Sequence, residues 1–192
     1  VINNKRLDDI RFGLLNAGNQ NSQVLELHKE IKSIVKKLGG EVVDIDDDRI
    51  YPDAAEYFIL LYEFRVGLQK YLETSSSSMR NLEDVIKFNE ENKNTVMPYF
   101  GQDIFFQSLE SDSYIQYMWS KYKIKNSYKA TLRLLEEYDL DAFIGLTRGP
   151  AWKINYNGGD WPAMQDNIRF SSGGFAAHNG ICLLYTSPSP RD

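Results

Sequence analysis

The chain is poor in the residues that carry most redox and metal chemistry. It has one cysteine, Cys182, in 192 residues, so an internal disulfide framework is impossible. Its two histidines, His28 and His178, lie far apart and in no metal-pair spacing such as H-E-x-x-H, so no zinc signature is present. No run approaches the ~20 apolar residues of a spanning helix, and mean hydropathy is -0.45. Basic residues are outnumbered, 22 Lys and Arg against 27 Asp and Glu, for a net charge of -5. The pI of about 5.2 argues against a nucleic-acid partner, whose basic footprint usually gives a pI above ~9. No G-x-G-x-x-G follows the first apolar run and no G-x-x-x-x-G-K-[ST] occurs, so neither a dinucleotide nor a P-loop site is expected, and no cofactor is implied. The first residues, Val1 to Arg6, show no charged region leading into an apolar one, so no signal peptide is visible. Val1 is not an initiator methionine, and sequence upstream of it is expected. Aromatics, in contrast, make up 13% of the chain, which argues against disorder. A chain of this length can bury about 70% of its unfolded surface in one core.

The apolar pattern places the elements. Ile10 to Leu15 is a short apolar run ending in Ala17, Gly18 and Asn19, a strand followed by a loop. Val24, Leu27, Ile31, Ile34, Val35 and Leu38 recur on one face of an amphipathic helix. Gly39-Gly40 stops it, as a left-handed C-cap requires. Glu41 to Ile45 is a second strand. A strand, a helix and a strand so close together form a βαβ unit, so the two strands are expected to be parallel. Residues 53–72 form a helix apolar nearly all round, which implies burial; Glu63 and Arg65 within it must be paired or reach the surface. Thr74 to Ser78 reads as a flexible linker. Asn81 can cap a helix carrying Leu82, Val85 and Ile86. Pro98 and Gly101 mark a turn before a helix over Ile104–Leu109. Two further helices are expected over 112–123 and 127–138. Ala142 to Leu146 is a third strand of the type buried on both faces. The architecture expected is α/β, a layered mixed β-sheet flanked by helices.

Few residues suggest chemistry on their own. Asp46-Asp47-Asp48 has no calcium-loop spacing after it and reads as a solvated loop. His28, beside Leu27, reads as a surface or boundary residue. Ser171-Ser172-Gly173-Gly174 could expose a hydroxyl near backbone N–H donors. No lysine or histidine precedes it at a recognisable spacing, however, so it reads as a loop near a sheet edge. Nothing points to a Ser-His-Asp triad. Gly149-Pro150, Asn157 to Asp160 and Trp161-Pro162 follow the third strand, and loops after parallel strands carry sites. The final segment, Cys182 to Asp192, packs two serines and two prolines into four positions. It resembles, codon by codon, one reading frame of a transposon sequencing adapter. It is therefore read as a non-native tail, 182–192, and set apart from the fold. Cys182 then carries no redox information, and natural sequence is expected beyond residue 181.

Taken together, five stretches in one order resemble the amidase-signature hydrolases. They are Leu38-Gly39-Gly40-Glu41-Val42-Val43-Asp44; the helix from Glu63 to Leu72; Leu82 to Asn89 running on to Met97-Pro98-Tyr99-Phe100-Gly101-Gln102-Asp103; Asp141-Ala142-Phe143-Ile144 with Gly149-Pro150-Ala151-Trp152-Lys153-Ile154-Asn155 and Gly159-Asp160; and Ser171-Ser172 to Gly180. The Gly149–Trp152 stretch looks more like stand-alone bacterial amidases, including peptide amidases, than like the glutaminyl-tRNA-forming amidotransferase subunit. Gly173 to Asn179 departs from the usual pattern.

The resemblance implies that 1–181 is the C-terminal portion of an amidase domain. In that family a serine attacks a carboxylic amide. It is activated through a second serine, held by a cis peptide and bonded to a lysine, and backbone N–H groups hold the oxyanion. Those residues precede everything in this chain, so no catalytic residue is assigned and the chain alone is expected to be inactive. The implied partner is a small amide substrate, without nucleic acid or membrane, and the residues expected to line its pocket are Gly149, Pro150 and Trp152. Gln102 is expected to hydrogen-bond loop backbone. The reading from another class is a stand-alone α/β binding or regulatory module.

Overall fold

A computed structural model describes residues 6–16, 22–147, 153–157 and 172–182. The chain divides into two compact units. One comprises Val1–Tyr51, Lys125–Trp152 and Met164–Asp192; the other comprises Pro52–Ile124 and Lys153–Ala163.

The first unit is built on a three-stranded sheet. β1 (Arg11–Leu15) lies between β2 (Glu41–Ile45) and β3 (Ala142–Ile144) and is parallel to both. The expected βαβ unit is present, with α1 (Ser22–Lys37) as its crossover. The α/β class with flanking helices is as expected. Among the described residues, though, every strand pair is parallel where a mixed sheet was expected. Alternation along the strands gives the sheet two different faces. Leu15 and Ile45 join Ile50, Leu134, Leu140 and Phe175 in one core cluster, with Val43, Phe143 and Ile181 packed against it. Leu14, fully buried, faces the other way with its register partner Asp44, which takes an ion pair at 2.6 Å from Lys32 of α1. Both faces of a parallel sheet need such cover. On the first face it comes from the end of α6 (Tyr114–Glu137) and from α7 (Ser172–Asn179).

One turn design recurs three times here. The N–H groups of Gly39 and Gly40 donate to Lys36 and Val35, those of Asp139 and Leu140 to Glu136 and Leu135, and those of Gly180 and Ile181 to Ala177 and Ala176. Each is a Schellman closure with a left-handed residue just past the helix: Gly39 at φ 95, Asp139 at φ 51 and Gly180 at φ 64. After α1 and α6 the chain passes at once onto the sheet, because Glu41 N–H donates to Ile10 O and Asp141 N–H to Arg11 O. Arg11 secures the same end. Its backbone N–H donates to Asp141 at 2.8 Å, and its guanidinium donates to Tyr138 O at 2.8 Å and pairs with Glu41 at 2.6 Å.

The described second unit is mainly helical: α2 (Asp53–Thr74), α3 (Leu82–Glu91), α4 (Lys93–Val96), α5 (Asp103–Glu110) and the first half of α6. Asn81 caps α3 as expected, accepting from Asp84 N–H at 2.8 Å. The serine run is not a loose linker. Ser75 Oγ donates to Leu72 O, and Ser77 N–H donates back to Ser75 Oγ, local turns that close the end of α2. Phe64 stacks on Phe105 of α5 at 5.4 Å, and Tyr62 on Tyr117 of α6 at 4.3 Å.

α2 corrects one expectation. Ala55, Leu61 and Leu72 are buried, but Leu60 is 59% exposed and Tyr71 68%. Its all-round apolar character is therefore not matched by all-round cover. Glu63 is exposed and accepts from Tyr117 OH at 2.7 Å, and Arg65 lies over the Tyr62 ring. The two helices expected over 112–138 are one, α6. β3 is three residues long and half-buried throughout rather than fully covered. Residues 172–179 are helical rather than a loop.

Candidate functional site

Three residues were expected to line a pocket: Gly149, Pro150 and Trp152. They lie outside the described residues, as do Ser171 and the tail beyond Cys182. What the structure does describe is the end of the sheet that leads to them. At the carboxyl end of the strands Asn16 N–H donates to Ile45 O at 3.1 Å. Among the described residues, the Asn16 Oδ1 atom is buried there without a hydrogen-bond partner. Ligands of open parallel sheets bind outside this end of the strands.

The other residues singled out, and the buried serines of the helices, have structural work. Ser172 opens α7, so it is part of a helix. Ser108 and Ser111 donate to carbonyls of their own helix turn, and Ser127 to Asn179. Asp47 caps the 3-10 turn Asp48–Ile50, accepting from Arg49 N–H at 3.0 Å. The Arg49 guanidinium beside it holds its carboxyl below the usual carboxylate range. Among the described residues no group of three or more His, Cys, Asp or Glu side chains could hold a metal ion. Gln102 is buried. Its Nε2 donates to Ile86 O at 3.2 Å and to Glu90 at 2.8 Å, and its Oε1 accepts from Asn89 at 3.0 Å. Every polar atom of the side chain is thus committed to fastening the segment before α5 onto α3, and the carbonyl it meets belongs to a helix rather than to a loop.

His28 is a correction. It is buried, not a boundary residue, because the inward face of α1 is centred on Val24, His28 and Val35 while Leu27 and Ile34 lie to one side, 42% and 47% exposed. Burial pushes its pKa below the ordinary value, and Lys32 adds to the effect. The folded state therefore holds His28 neutral where the unfolded chain protonates it. Its stabilising contribution is present above the unfolded value of about 6.5 and is lost as pH falls toward the lower folded value. Urea unfolding at pH 7.5 and 5.5 is expected to show a drop that His28→Leu reduces; an unchanged drop would refute the account.

The described groove missed in the sequence lies in the second unit. Lys93, Met97, Pro98, Tyr99 and Phe100 line an open cleft of about 410 Å³. Tyr156 packs beside it, 4.9 Å from Tyr99 and 6.2 Å from Phe100 between ring centroids. The only signal in the sequence was the aromatic pair between Pro98 and Gly101, which reads simply as a turn.

No family model matches the sequence, and no curated protein does. Solved structures do match the fold. A peptide amidase in complex with the competitive inhibitor chymostatin is 25% identical, with a TM-score of 0.69 over 90% of this chain and 35% of that one. The native peptide amidase from Stenotrophomonas maltophilia is 24% identical, with a TM-score of 0.68 over the same shares. An amidase family protein from Bacillus anthracis is 22% identical, with a TM-score of 0.60 over 72% of this chain and 28% of that one. The fold is therefore amidase-like, and the chain spans about a third of the length of the peptide amidases it matches.

Proposed function

We propose that this chain is the C-terminal portion of an amidase-type hydrolase, shaping the pocket of an enzyme that cleaves the C–N bond of small carboxylic amides. The observation that carries the reading is the match to a 25%-identical peptide amidase over 90% of the chain. The exposed apolar faces support it. Tyr114, Ile115, Met118, Trp119 and Tyr122 form a stripe along α6, with Ile115 82% exposed, and contiguous apolar surface of this kind marks contact with further protein.

In this reading the attacking serine, the serine that relays its proton and the lysine behind it belong to sequence outside this chain. The serine hydroxyl adds to the amide carbonyl and its proton passes through the relay to the leaving nitrogen. The C–N bond then breaks, and water releases the acid from the acyl-enzyme. Backbone N–H donors hold the oxyanion. Gly149, Pro150 and Trp152 shape the pocket wall.

Two measurements test this. The chain alone, given a panel of primary amides and a fluorophosphonate serine label, is expected to show neither turnover nor labelling. The gene extended upstream is expected to encode a lysine and a Gly-Ser-Ser-Gly-type run, and its product to hydrolyse amides. Substituting its nucleophilic serine should cost on the order of 10⁶ in kcat. A reactive Ser171 or Ser172 in the chain alone, or a start codon just before Val1, would overturn the proposal.

A further inference from the structure

The cleft beside α4 has features that packing within its unit does not explain. Tyr99, Phe100 and Tyr156 remain 65%, 43% and 55% exposed although their rings touch one another. The segment that carries the first two is held firmly at both ends. Met97 N–H donates to Lys93 O, Pro98 restricts its own backbone, and the buried Gln102 is bonded to α3 at three points. An aromatic wall presented on a fixed frame costs a ligand little ordering entropy to use.

A charge sits at the same cleft. Lys93 lines it, and among the described residues Lys93 makes no ion pair. The carboxylates that precede it are engaged elsewhere: Glu90 accepts from Gln102 and Glu91 pairs with Lys87 at 3.9 Å. A lysine lining the same cleft as two exposed rings complements a small molecule that is aromatic at one end and anionic at the other.

We propose that this cleft is a binding site for acids bearing an aryl group, such as an N-acylated aromatic amino acid or a peptide ending in one, with the ring on Tyr99 and Phe100 and the carboxylate at Lys93. The inference does not depend on the amidase reading, because binding to this chain tests it without turnover. If both hold, the cleft prefers the acid that amide hydrolysis yields over the amide consumed.

The test is a heteronuclear NMR titration of the full chain with N-acetyl-L-phenylalanine, its amide, N-acetyl-L-alanine and phenethylamine. The spectrum of each protein reports its own folding. The aryl acid is expected to shift the resonances of 93–101 and Tyr156, binding about 2- to 5-fold more tightly than its amide, the range an exposed ion pair supports. Lys93→Gln should erase that preference and leave the binding of the amide unchanged, and Tyr99→Ala should weaken both. N-acetyl-L-alanine should give no saturable shift. Equal binding of acid and amide, a preference for the amine, a preference that survives Lys93→Gln, or shifts confined to other residues would each overturn the proposal.

Discussion

Leu15→Ala is expected to lower the unfolding free energy of the sheet unit by about 2–5 kcal/mol. Leu15 is 2% exposed on the central strand, and its side chain joins the cluster of Ile45, Ile50, Leu134, Leu140 and Phe175. Truncation removes buried methyl groups and leaves a void that a strand paired on both sides cannot collapse to fill. Since domains are stable by only about 5–15 kcal/mol, this is a large fraction of the whole. Leu27→Ala on the exposed flank of α1 is the control and should cost about 0.5 kcal/mol. Urea midpoints read both, with the slope unchanged. Equal losses would mean that the core has been assigned to the wrong residues.

Asn179→Leu is expected to cost about 2–4 kcal/mol, although it adds apolar volume to a buried position. Asn179 is 3% exposed. Its Oδ1 accepts from Thr131 at 3.0 Å and Ser127 at 3.3 Å, and its Nδ2 donates to Phe175 O at 2.9 Å. Leucine removes the acceptor from two buried hydroxyls, and each buried polar group left unmatched costs about 1–3 kcal/mol. Part is regained where the hydroxyls turn to carbonyls of their own helix. Adding Ser127→Ala and Thr131→Val to Asn179→Leu should recover part of the loss, since removing both partners is far cheaper than removing one. If the triple variant is less stable than the single one, side-chain volume rather than hydrogen bonding governs the site.

These two residues also mark what could and could not be read in advance. The βαβ start was legible because each local signal agreed: an apolar run, a one-sided helix, and glycines where the chain must turn left-handed. The Asn81 cap was legible for the same reason. α6 runs straight through 124–126, where two helices were expected to part, and Ser120, Ser127 and Thr131 along it are buried. Small hydroxyl residues serve there as inward-facing positions, which a hydrophobicity pattern counts as surface. α7 was hidden by Gly173 and Gly174, each costing about 1 kcal/mol in a helix; tertiary packing of Phe175 and the bonds of Asn179 outweigh that. His28 is buried against expectation because the inward stripe of α1 is centred on a polar residue. The candidate site divided differently. Gly149, Pro150 and Trp152 were singled out by resemblance and lie outside the described residues. The Lys93 cleft depends on which aromatics remain uncovered, and that is decided by tertiary structure alone.

The order of the strands carries a last consequence. Phe12 meets Val42 on one side and Ala142 on the other. In the unfolded chain the second meeting closes a loop about four times longer than the first. Each doubling of a flexible loop costs about 0.6 kcal/mol of chain entropy, so bringing β3 to its place costs about 1.2 kcal/mol more than bringing β2. β3 has only three residues with which to offset that, against five in β2. Of the two outer strands among the described residues, the one farther along the chain is thus the weaker joint.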